Sequence, residues 1–421
     1  MQNEISDIVK DLKTIICIPS VQGKAVEGAP FGKDVAKALE FTLSLAKGMG
    51  FETINYDNYI GEVDFGSGTD EIGILCHLDV VPAGDLSKWK YPPFSATEEN
   101  GRIYGRGTTD DKGPAIVCLH AMKALKGEGF VPSKKIRLIL GCNEETGWKC
   151  IEHFNKVARM PEVGFSPDAN YPVIYAEKGI MPLKFSFKKP EKLANIAGGE
   201  RVNVVCDRCE VKLNCDLPDY EKYGLKKEGE SFVAYGKSAH GSTPALGDNA
   251  ILKVITALEK IGAIDERIKR YLFDDELGLK NLSDHSGSLT LSPDIVSCDD
   301  KNVYVSVDVR YPVTKKGEDI VKAFEKVLPV EVLSHQLPLS ADKDGFLVKT
   351  LLGVYEEVTG QKSEPIAIGG GTYARALKCG VAFGPETDED FAIHQPNEYT
   401  SIENIKLQYS TYKAAIRKLS E

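Results

Sequence analysis

The sequence predicts an α/β protein with a mixed, mostly parallel sheet flanked by helices and with an α+β domain inserted in the chain. Two observations predict this fold. Strand and helix patterns alternate through roughly the first 180 residues, as they do where helices cover both faces of a largely parallel sheet. From about residue 184 the strands alternate polar and apolar residues, which is typical of half-exposed antiparallel strands.

The same change of pattern sets the predicted domain boundaries. A chain of 421 residues is too long for one simple core, so two domains are expected. We assign residues 1–183 and 345–421 to one domain and residues 184–344 to a second domain inserted within it. The later boundary is set where helix-forming sequence resumes, near Leu347.

Three strands and one helix are predicted in the first segment. Ile72–Cys76 contains only apolar residues and glycine, which predicts a buried strand. The sequence KKIRLIL at 134–140 predicts a second strand, and Glu162–Phe165 a short third one. Between the first two, Pro114 lies in the first turn of a helix that continues through Ala115–Lys126, because proline is well accommodated at a helix start.

The rest of the chain carries amphipathic patterns. One helix of the inserted segment has an apolar face formed by Ile251, Val254, Ile255, Leu258 and Ile261. The strand VYVSVDVRYP directs its valines at 303, 305, 307 and 309 to one side, with Asp308 and Arg310 on the other. The chain closes with a helix whose capping box is Thr400 and Glu403 and whose apolar stripe is Ile402, Ile405, Tyr412, Ile416 and Leu419.

Composition and charge exclude several classes of partner. The net charge of −10 argues against nucleic acid or an anionic membrane surface. The N-terminal stretch lacks the basic region and unbroken apolar run of a signal peptide, and no window approaches the about 18 apolar residues of a membrane span. We therefore expect a cytoplasmic protein that binds neither nucleic acid nor membrane.

The ten cysteines are expected to be reduced thiols. Cys76, Cys118 and Cys142 lie inside apolar runs, as buried free thiols do, and the sequence has no secretion signal. Cys206 and Cys209 form a CxxC motif, but no fourth ligand at suitable spacing accompanies them. A structural zinc site is therefore not predicted there.

Imidazole and carboxylate side chains follow several of the predicted strands. His77 and Asp79 come directly after Ile72–Cys76, and the further groups are Asp110–Asp111, Glu144–Glu145, Asp168 and His394. Each group alone is typical of a solvated loop or a core histidine, but the carboxyl ends of the strands form the ligand-binding edge of an open α/β sheet. So many carboxylates at one edge need a cation to neutralise them, and this mixture of ligands suits zinc or manganese better than calcium.

The motifs around these residues resemble a known family. HLDVVPAG, GRGTTDDKGP, the EETG loop, SPDANYPVIYAEKG, KSAHGSTP, VDVRYP, GGGTYAR and HQPNEY occur in the order seen in the di-metal aminoacylase/carnosinase family. That family includes glutamate carboxypeptidases and succinyl-diaminopimelate desuccinylases, and the match spans about residues 70–400. DDKGP, AEKG and GGGTYAR look most like the bacterial dipeptidase branch, whose members cleave unmodified dipeptides.

The resemblance implies a zinc-peptidase-like catalytic domain with an inserted lid and two divalent metal ions per chain. The metal would be zinc, with manganese or cobalt as alternatives, because all three accept the same ligands. Asp110 would bridge the two ions, and a cis peptide bond would join it to the next residue. His77 and Asp168 would complete one site, and Glu145 and His394 the other.

The resemblance also implies residues that support or perform catalysis. Asp79 would orient His77, and its position on the same strand face makes that contact natural. Glu144 would be the general base that takes a proton from a water bridging the metals. His240, in KSAHGS of the lid, would donate to the oxyanion, although by pattern alone it is equally typical of a surface loop.

Substrate-binding roles follow from the same resemblance. Arg310 would bind the free carboxylate of the substrate, because the guanidinium fork matches a carboxylate. The alternative for Arg310 is a surface ion pair with Asp308. The predicted helpers are Asn203 and the backbone of Gly369, Gly370 and Gly371.

The predicted function is metal-dependent hydrolysis of dipeptides by a metallopeptidase of broad specificity. An N-acyl-amino-acid amidohydrolase would share every ligand, and the sequence does not separate the two. A non-catalytic relative that binds peptides or metals is disfavoured, because Glu144 and every ligand are present. Because the inserted segment is long, as in the dipeptidase branch of the family, the resemblance implies a monomer that supplies its own His240, with a homodimer as the alternative.

Overall fold

The computed structural model describes residues 2–387 and 389–421. Within these residues the chain divides into two compact units. The first unit comprises the chain up to residue 175 together with 340–366 and 372–421, and the second unit comprises 176–339 and 367–371.

The division of the chain differs in detail from the prediction. The predicted boundaries after residues 183 and 344 lie a few residues C-terminal to those at 175/176 and 339/340. The larger difference is the stretch 367–371, which we predicted to belong to the domain of residues 1–183 and 345–421. It groups with the second unit, where Arg310 Nη1 donates a hydrogen bond to the Gly369 carbonyl oxygen at 2.9 Å.

The sheet of the first unit is mixed. In spatial order its strands are Glu52–Tyr56, Ile60–Phe65, Lys135–Gly141, Glu71–His77, Val163–Ser166, Cys379–Ala382 and Ile174–Glu177. Glu71–His77 is parallel to both of its neighbours, and Cys379–Ala382 is parallel to Val163–Ser166. The flanking pairs are antiparallel. The α/β fold is confirmed, and the parallel pairing is restricted to the four central strands.

The helices of this unit include the two predicted from the sequence, around Pro114 and at the end of the chain. They are Gln2–Ile16, Lys33–Gly48, Lys112–Gly127, Lys149–Val157, Phe346–Thr359 and Ile402–Ser420. The first helix buries Ile5, Ile8, Leu12, Ile15 and Ile16, the spacing of one helix face. The predicted helix around Pro114 starts at Lys112, so that the proline lies within the first turn. A small antiparallel sheet consists of Thr97–Glu99, Arg102–Tyr104 and Tyr399–Ser401, and a short parallel pair of Ala169–Asn170 and Pro385–Glu386.

The C-terminal helix is capped by a different residue from the one predicted. Ser401 is the N-cap, and its hydroxyl oxygen accepts a hydrogen bond from the backbone N–H of Asn404 at 3.0 Å. Thr400 is instead buried in the strand Tyr399–Ser401, where it pairs with Ile103. A three-residue strand gives too little pattern to be found in a single sequence, so the prediction of Thr400 as the cap was wrong.

The second unit is an antiparallel sheet with helices. In spatial order its strands are Leu225–Glu228, Ser231–Tyr235, Arg208–Leu213, Leu193–Gly198, Thr290–Cys298, Asn302–Tyr311, Leu183–Lys188 and Val330–Val332, with Gly179–Ile180 also paired to Asn302–Tyr311. A separate hairpin joins Ser283–Asp284 to Gly287–Ser288. The helices are Ala250–Lys260, Glu266–Ile268 and Gly317–Glu325. Short strands Leu339–Ser340 and Ile366–Ile368 lie where the chain passes between units.

The hydrophobic core of the second unit follows the predicted faces. The apolar side of Ala250–Lys260 is fully buried at Ile251, Val254, Ile255 and Leu258. These residues share one cluster with the valines at 303, 305, 307 and 309, each of them fully buried. The apolar face of the helix and the apolar face of the strand therefore belong to one core, which is the α+β arrangement predicted for this segment.

Two further features concern the whole chain. Within the described ranges 2–387 and 389–421, the helices are too short or too polar to cross a membrane. All ten cysteines are free thiols, and both members of the CxxC motif, Cys206 and Cys209, are buried.

Candidate active site

The central strand of the first unit ends in a buried histidine at the carboxyl edge of the sheet. His77 is 1% exposed, and its Nδ1 lies 2.9 Å from the carbonyl oxygen of Asp79. Its backbone N–H donates to Asp111 Oδ2 at 2.9 Å. In the neutral ring the Nδ1 contact with a carbonyl oxygen puts the proton on Nδ1, which leaves Nε2 as a ligand atom.

Asp110 lies between two imidazole rings. Its Oδ1 is 2.9 Å from His77 Nε2, and its Oδ2 is 2.8 Å from His394 Nε2. The residue is held by the turn that leads into the helix Lys112–Gly127, and the expected cis peptide bond to Asp111 is confirmed. Each carboxylate oxygen therefore faces a different histidine.

One further carboxylate accompanies each histidine. Asp168 follows the strand Val163–Ser166, and its Oδ1 is 3.8 Å from His77 Nε2. Glu145 Oε1 is 3.1 Å from His394 Nε2. The five predicted metal ligands thus form two groups that share Asp110.

The donor atoms of these residues fit a divalent cation. Ligand atoms of His77, Asp110 and Glu145 all lie within 4.8 Å of one another. His77 Nε2 and Asp110 Oδ1 are buried and, although close together, make no well-formed hydrogen bond within the described part of the chain. Buried polar atoms left without such partners are costly, and imidazole nitrogen with carboxylate oxygen is a ligand set that suits zinc or manganese.

The charged groups of this cluster shift one another's pKa values. Burial lowers the pKa of His394, but its ion pairs with Asp110 and Glu145 outweigh burial and raise it to about 11. Burial and the charge of Asp110 raise the pKa of Asp168 to about 6. Burial also raises the pKa of Glu144 well above its usual range, and the charges of Asp168 and Glu145 add to that effect. Cation binding opposes these shifts, because metal ligands must be deprotonated.

Asp79 anchors the EETG loop. The backbone N–H groups of Glu144 and Glu145 donate to its two carboxylate oxygens at 3.0 and 3.1 Å. The Glu144 carboxylate itself accepts a hydrogen bond from Trp148 Nε1 at 3.2 Å. The sequence led us to expect that the Asp79 carboxylate orients His77. That carboxylate stays 3.6 Å from His77 Nδ1, and the closer contact comes from the Asp79 carbonyl oxygen.

His240 occupies an exposed loop of the second unit. The backbone N–H of Ser242 donates to His240 Nδ1 at 3.1 Å, and the Ser242 hydroxyl lies 2.7 Å from the same atom. Because Nδ1 accepts this hydrogen bond, the proton of the neutral ring is on Nε2. The His240 ring therefore offers Nε2–H as a donor.

Arg310 forms a buried ion pair rather than a surface one. Arg310 is 5% exposed and Asp308 1%, and the Arg310 Nε donates to both Asp308 oxygens at 2.9 Å. The sequence predicted that these residues lie on the polar side of their strand, and in the structure that side is covered at both positions. The alternative interpretation of Arg310, a surface ion pair with Asp308, is therefore correct about the partner and wrong about the exposure.

The residues predicted to bind substrate lie close together in the second unit. A Cβ atom at Gly241 would lie 2.4 Å from Asp308 Oδ2 and 3.2 Å from Asn203, so that only glycine fits there. A Cβ at Gly369 would lie 2.6 Å from Ser242 Cβ. The neighbouring glycines of the same stretch are Gly370 and Gly371. These close approaches bring the His240 loop, the Arg310 strand and the glycine stretch into one group.

Sequence reasoning missed three residues near the first-unit cluster, of which Arg106 and Glu398 are buried. Arg106 and Glu398 form an ion pair at 2.6 Å, and burial with the charges of Asp168 and Asp110 raises the pKa of Glu386 to about 7. Arg106 and Glu398 stand in GRGTTDDKGP and HQPNEY, motifs that drew attention for other residues. Their pairing joins positions 292 apart, which a single sequence does not reveal, and Glu386 carries no signal at all.

The sequence is similar to known peptidases over nearly its whole length. Residues 73–418 match the family described as peptidase family M20/M25/M40. The Beta-Ala-Xaa dipeptidase of Lactobacillus delbrueckii subsp. lactis is 35% identical, with 98% of this chain and 96% of the relative covered. This match extends over both units.

Solved structures share the fold. The M20 family metallo-carboxypeptidase Sso-CP2 from Sulfolobus solfataricus superposes with a TM-score of 0.63 at 15% identity, covering 99% of each chain. The di-peptidase Dug1p from Saccharomyces cerevisiae superposes with a TM-score of 0.62 at 16% identity, covering 99% of this chain and 97% of that one. At such identities the likeness establishes the fold alone.

Proposed function

The chain belongs to peptidase family M20/M25/M40 and is a hydrolase that acts on peptides, and from that premise we propose that it cleaves the peptide bond of unmodified dipeptides. One observation carries the choice of substrate. The relative of 35% identity that matches this chain almost from end to end is named a Beta-Ala-Xaa dipeptidase.

The first-unit cluster supplies the ligands for two divalent cations. We assign His77, Asp168 and Asp110 to one cation, and Asp110, Glu145 and His394 to the other. This division follows the contacts, since each oxygen of Asp110 faces one imidazole at 2.8 or 2.9 Å. The mixed nitrogen and oxygen donors favour zinc, with manganese or cobalt as alternatives.

Glu144 is suited to act as the general base. When bound, the cations polarise the scissile carbonyl and lower the pKa of water. Glu144 takes the proton of that water and returns it to the leaving amine. Its carboxylate is available for this task because the ion pairs of the cluster use Glu145 instead. Asp79 fixes both glutamates through their backbone N–H groups, so the two side chains keep separate directions.

The second unit contributes the remaining groups. His240 donates from Nε2 to the oxyanion that forms at the scissile carbonyl, consistent with its Nδ1 accepting from Ser242. Arg310 binds the free carboxylate of the substrate. Its ion pair with Asp308 and its hydrogen bond to Gly369 fix the plane of the guanidinium group. Asn203 and the backbone of Gly369, Gly370 and Gly371 assist in holding the substrate.

The alternative activity, hydrolysis of N-acyl amino acids, uses the same donors and is separated by substrate. We expect kcat/KM for α-dipeptides and β-alanyl dipeptides to be at least about a hundredfold above that for N-acetyl or N-succinyl amino acids. A site that hydrogen-bonds a free amino group of the substrate leaves its own polar groups unpaired when an acyl group takes that place. Steady-state kinetics on such a panel decides. Equal or faster turnover of the acyl substrates would favour the amidohydrolase.

We propose further that the enzyme is a cytoplasmic monomer in which each chain uses its own His240. We therefore expect that mixing inactive His240→Ala protein with inactive Glu144→Gln protein restores no dipeptidase activity, even after joint unfolding and refolding. Loss of an oxyanion donor costs about 10²–10³-fold in kcat, so recovered activity is easily detected. Turnover above the sum of the separate variants would mean that His240 acts across subunits.

A further inference from the structure

A buried ion pair in the first unit connects the loops that carry the metal ligands. Arg106 Nη1 donates to Glu398 Oε2 at 2.6 Å, and the two residues are 2% and 0% exposed. Arg106 lies four residues before Asp110, and Glu398 lies four residues after His394 in the HQPNEY motif. The pair thus joins the two segments whose ligands face each other.

The second oxygen of Glu398 holds the backbone that leads to Asp110. Glu398 Oε1 accepts hydrogen bonds from the N–H groups of Gly107 at 3.0 Å, Thr109 at 3.2 Å and Asp110 at 3.4 Å. The Thr109 hydroxyl also donates to the carbonyl oxygen of Tyr399 at 2.9 Å. The bridging carboxylate therefore sits on a backbone that is fixed from the His394 segment.

Arg106 extends the connection to the loop that follows His77. Its Nη2 donates to the Pro82 carbonyl oxygen at 3.4 Å, and its guanidinium carbon lies 5.3 Å from the centre of the Trp89 ring. Trp89 in turn donates from Nε1 to the Ala83 carbonyl oxygen at 2.8 Å. Arg106, which belongs to the segment of Asp110, thus contacts the segments of two further ligands, His77 and His394.

We propose that Arg106 and Glu398 are positioning residues that set the spacing of His77, Asp110 and His394 for cation binding, an inference that rests on the proposed function. Burying an ion pair costs desolvation and is on its own weak evidence for stability. Here the side-chain hydrogen bonds of the pair, within the described residues, connect the segments that carry His77, Asp110 and His394, which points to geometry as its purpose. Residues that hold metal ligands in this way typically change metal affinity 10–100-fold when altered.

A second buried pair in the same unit provides a matched control. Arg137 donates from Nε and Nη2 to the two oxygens of Glu62, each at 2.8 Å, and Glu62 is 2% exposed. This pair joins the strands Ile60–Phe65 and Lys135–Gly141 and contacts none of the five proposed ligands. Glu62→Gln and Glu398→Gln therefore each replace the carboxylate of a buried arginine–carboxylate pair by an amide, although Arg137 also pairs with Glu71 at 3.1 Å.

The test measures zinc affinity of the full-length protein by competition with a chromophoric chelator, together with its thermal midpoint. We expect Glu398→Gln to lower the zinc affinity of at least one of the two sites about 10–100-fold. Glu62→Gln should change the zinc affinity of either site by no more than about twofold. Both variants are expected to lower the thermal midpoint. Arg106→Lys, which keeps the positive charge but loses the fork, serves as the second variant and is expected to weaken zinc binding as well.

The outcomes separate the two proposals. The inference would be overturned if Glu398→Gln and Arg106→Lys bound zinc as tightly as Glu62→Gln and lost a similar amount of thermal stability. The pair of Arg106 and Glu398 would then be only structural. If Glu398→Gln does not fold, Arg106→Lys alone decides by the same comparison. If the unaltered protein binds no zinc, manganese or cobalt, the proposed function fails, and the positioning role fails with it for that separate reason.

Discussion

Replacement of Glu144 by glutamine is expected to remove most of the turnover while both metal ions stay bound. The amide cannot accept the proton of the attacking water, and loss of a general base typically costs about 10²–10⁴-fold in kcat. The fold of the loop is retained, because Asp79 holds it through backbone N–H groups and the amide oxygen can still accept from Trp148. The measurement is kcat with a dipeptide alongside metal content per chain.

The neighbouring residue provides the control. Glu145→Gln changes the same functional group one position along, but Glu145 contacts His394 at 3.1 Å and is a proposed ligand. We expect that variant to lose affinity for one of the two ions. Near-normal turnover in Glu144→Gln would refute the role of general base. Loss of a metal from Glu144→Gln, with both retained in Glu145→Gln, would mean that the two roles are reversed.

Removal of the metal ions is expected to lower dipeptide hydrolysis at least about a thousandfold. Metal polarisation of the carbonyl contributes several kcal/mol to the transition state, and each 1.4 kcal/mol corresponds to a factor of ten. The protein should stay folded, because its core is formed by buried apolar side chains and not by the proposed ligands. Turnover before and after chelation, with circular dichroism on the same samples, checks both statements.

A single substitution should reproduce much of this loss. Asp110→Asn is expected to weaken binding of both ions, because both oxygens of Asp110 face an imidazole. Asp11→Asn is the matched control, since Asp11 also contacts a histidine, His120, at 2.8 Å, and neither residue is a proposed metal ligand. It should retain metals and activity. An Asp110→Asn protein that loses only one ion would contradict the assignment of Asp110 as the shared ligand.

Residues at strand ends could be predicted from the sequence for a simple reason. The apolar run before His77 and the alternating valines before Arg310 are strong local patterns, and parallel strands end at a common edge. The structure accordingly places His77, Glu145 and Asp168 at or shortly after the ends of the parallel strands. Asp110 instead precedes the helix Lys112–Gly127 and His394 lies in a loop, yet each of the five residues lies within 3.8 Å of at least one other. Their roles as ligands remain a proposal, although the resemblance of the motifs and the geometry agree.

Contacts between distant segments could not be predicted. The pairing of Arg106 with Glu398 and the grouping of 367–371 with the second unit depend on which segments the fold brings together. The cap at Ser401 depends on a strand of three residues. The burial of Arg310 was missed for a related reason, because strand period assigns a face but does not say whether that face is covered.

Dipeptide hydrolysis at a two-metal site is tested by titrating the chelated enzyme with zinc while hydrolysis of an unmodified dipeptide is followed. Because the five proposed ligands form two groups that share Asp110, we expect activity to rise until two zinc ions are bound per chain and then to level off. Maximal activity with one ion per chain would contradict the two-metal site, and no hydrolysis of any dipeptide at saturating zinc, manganese or cobalt would contradict the proposed function itself.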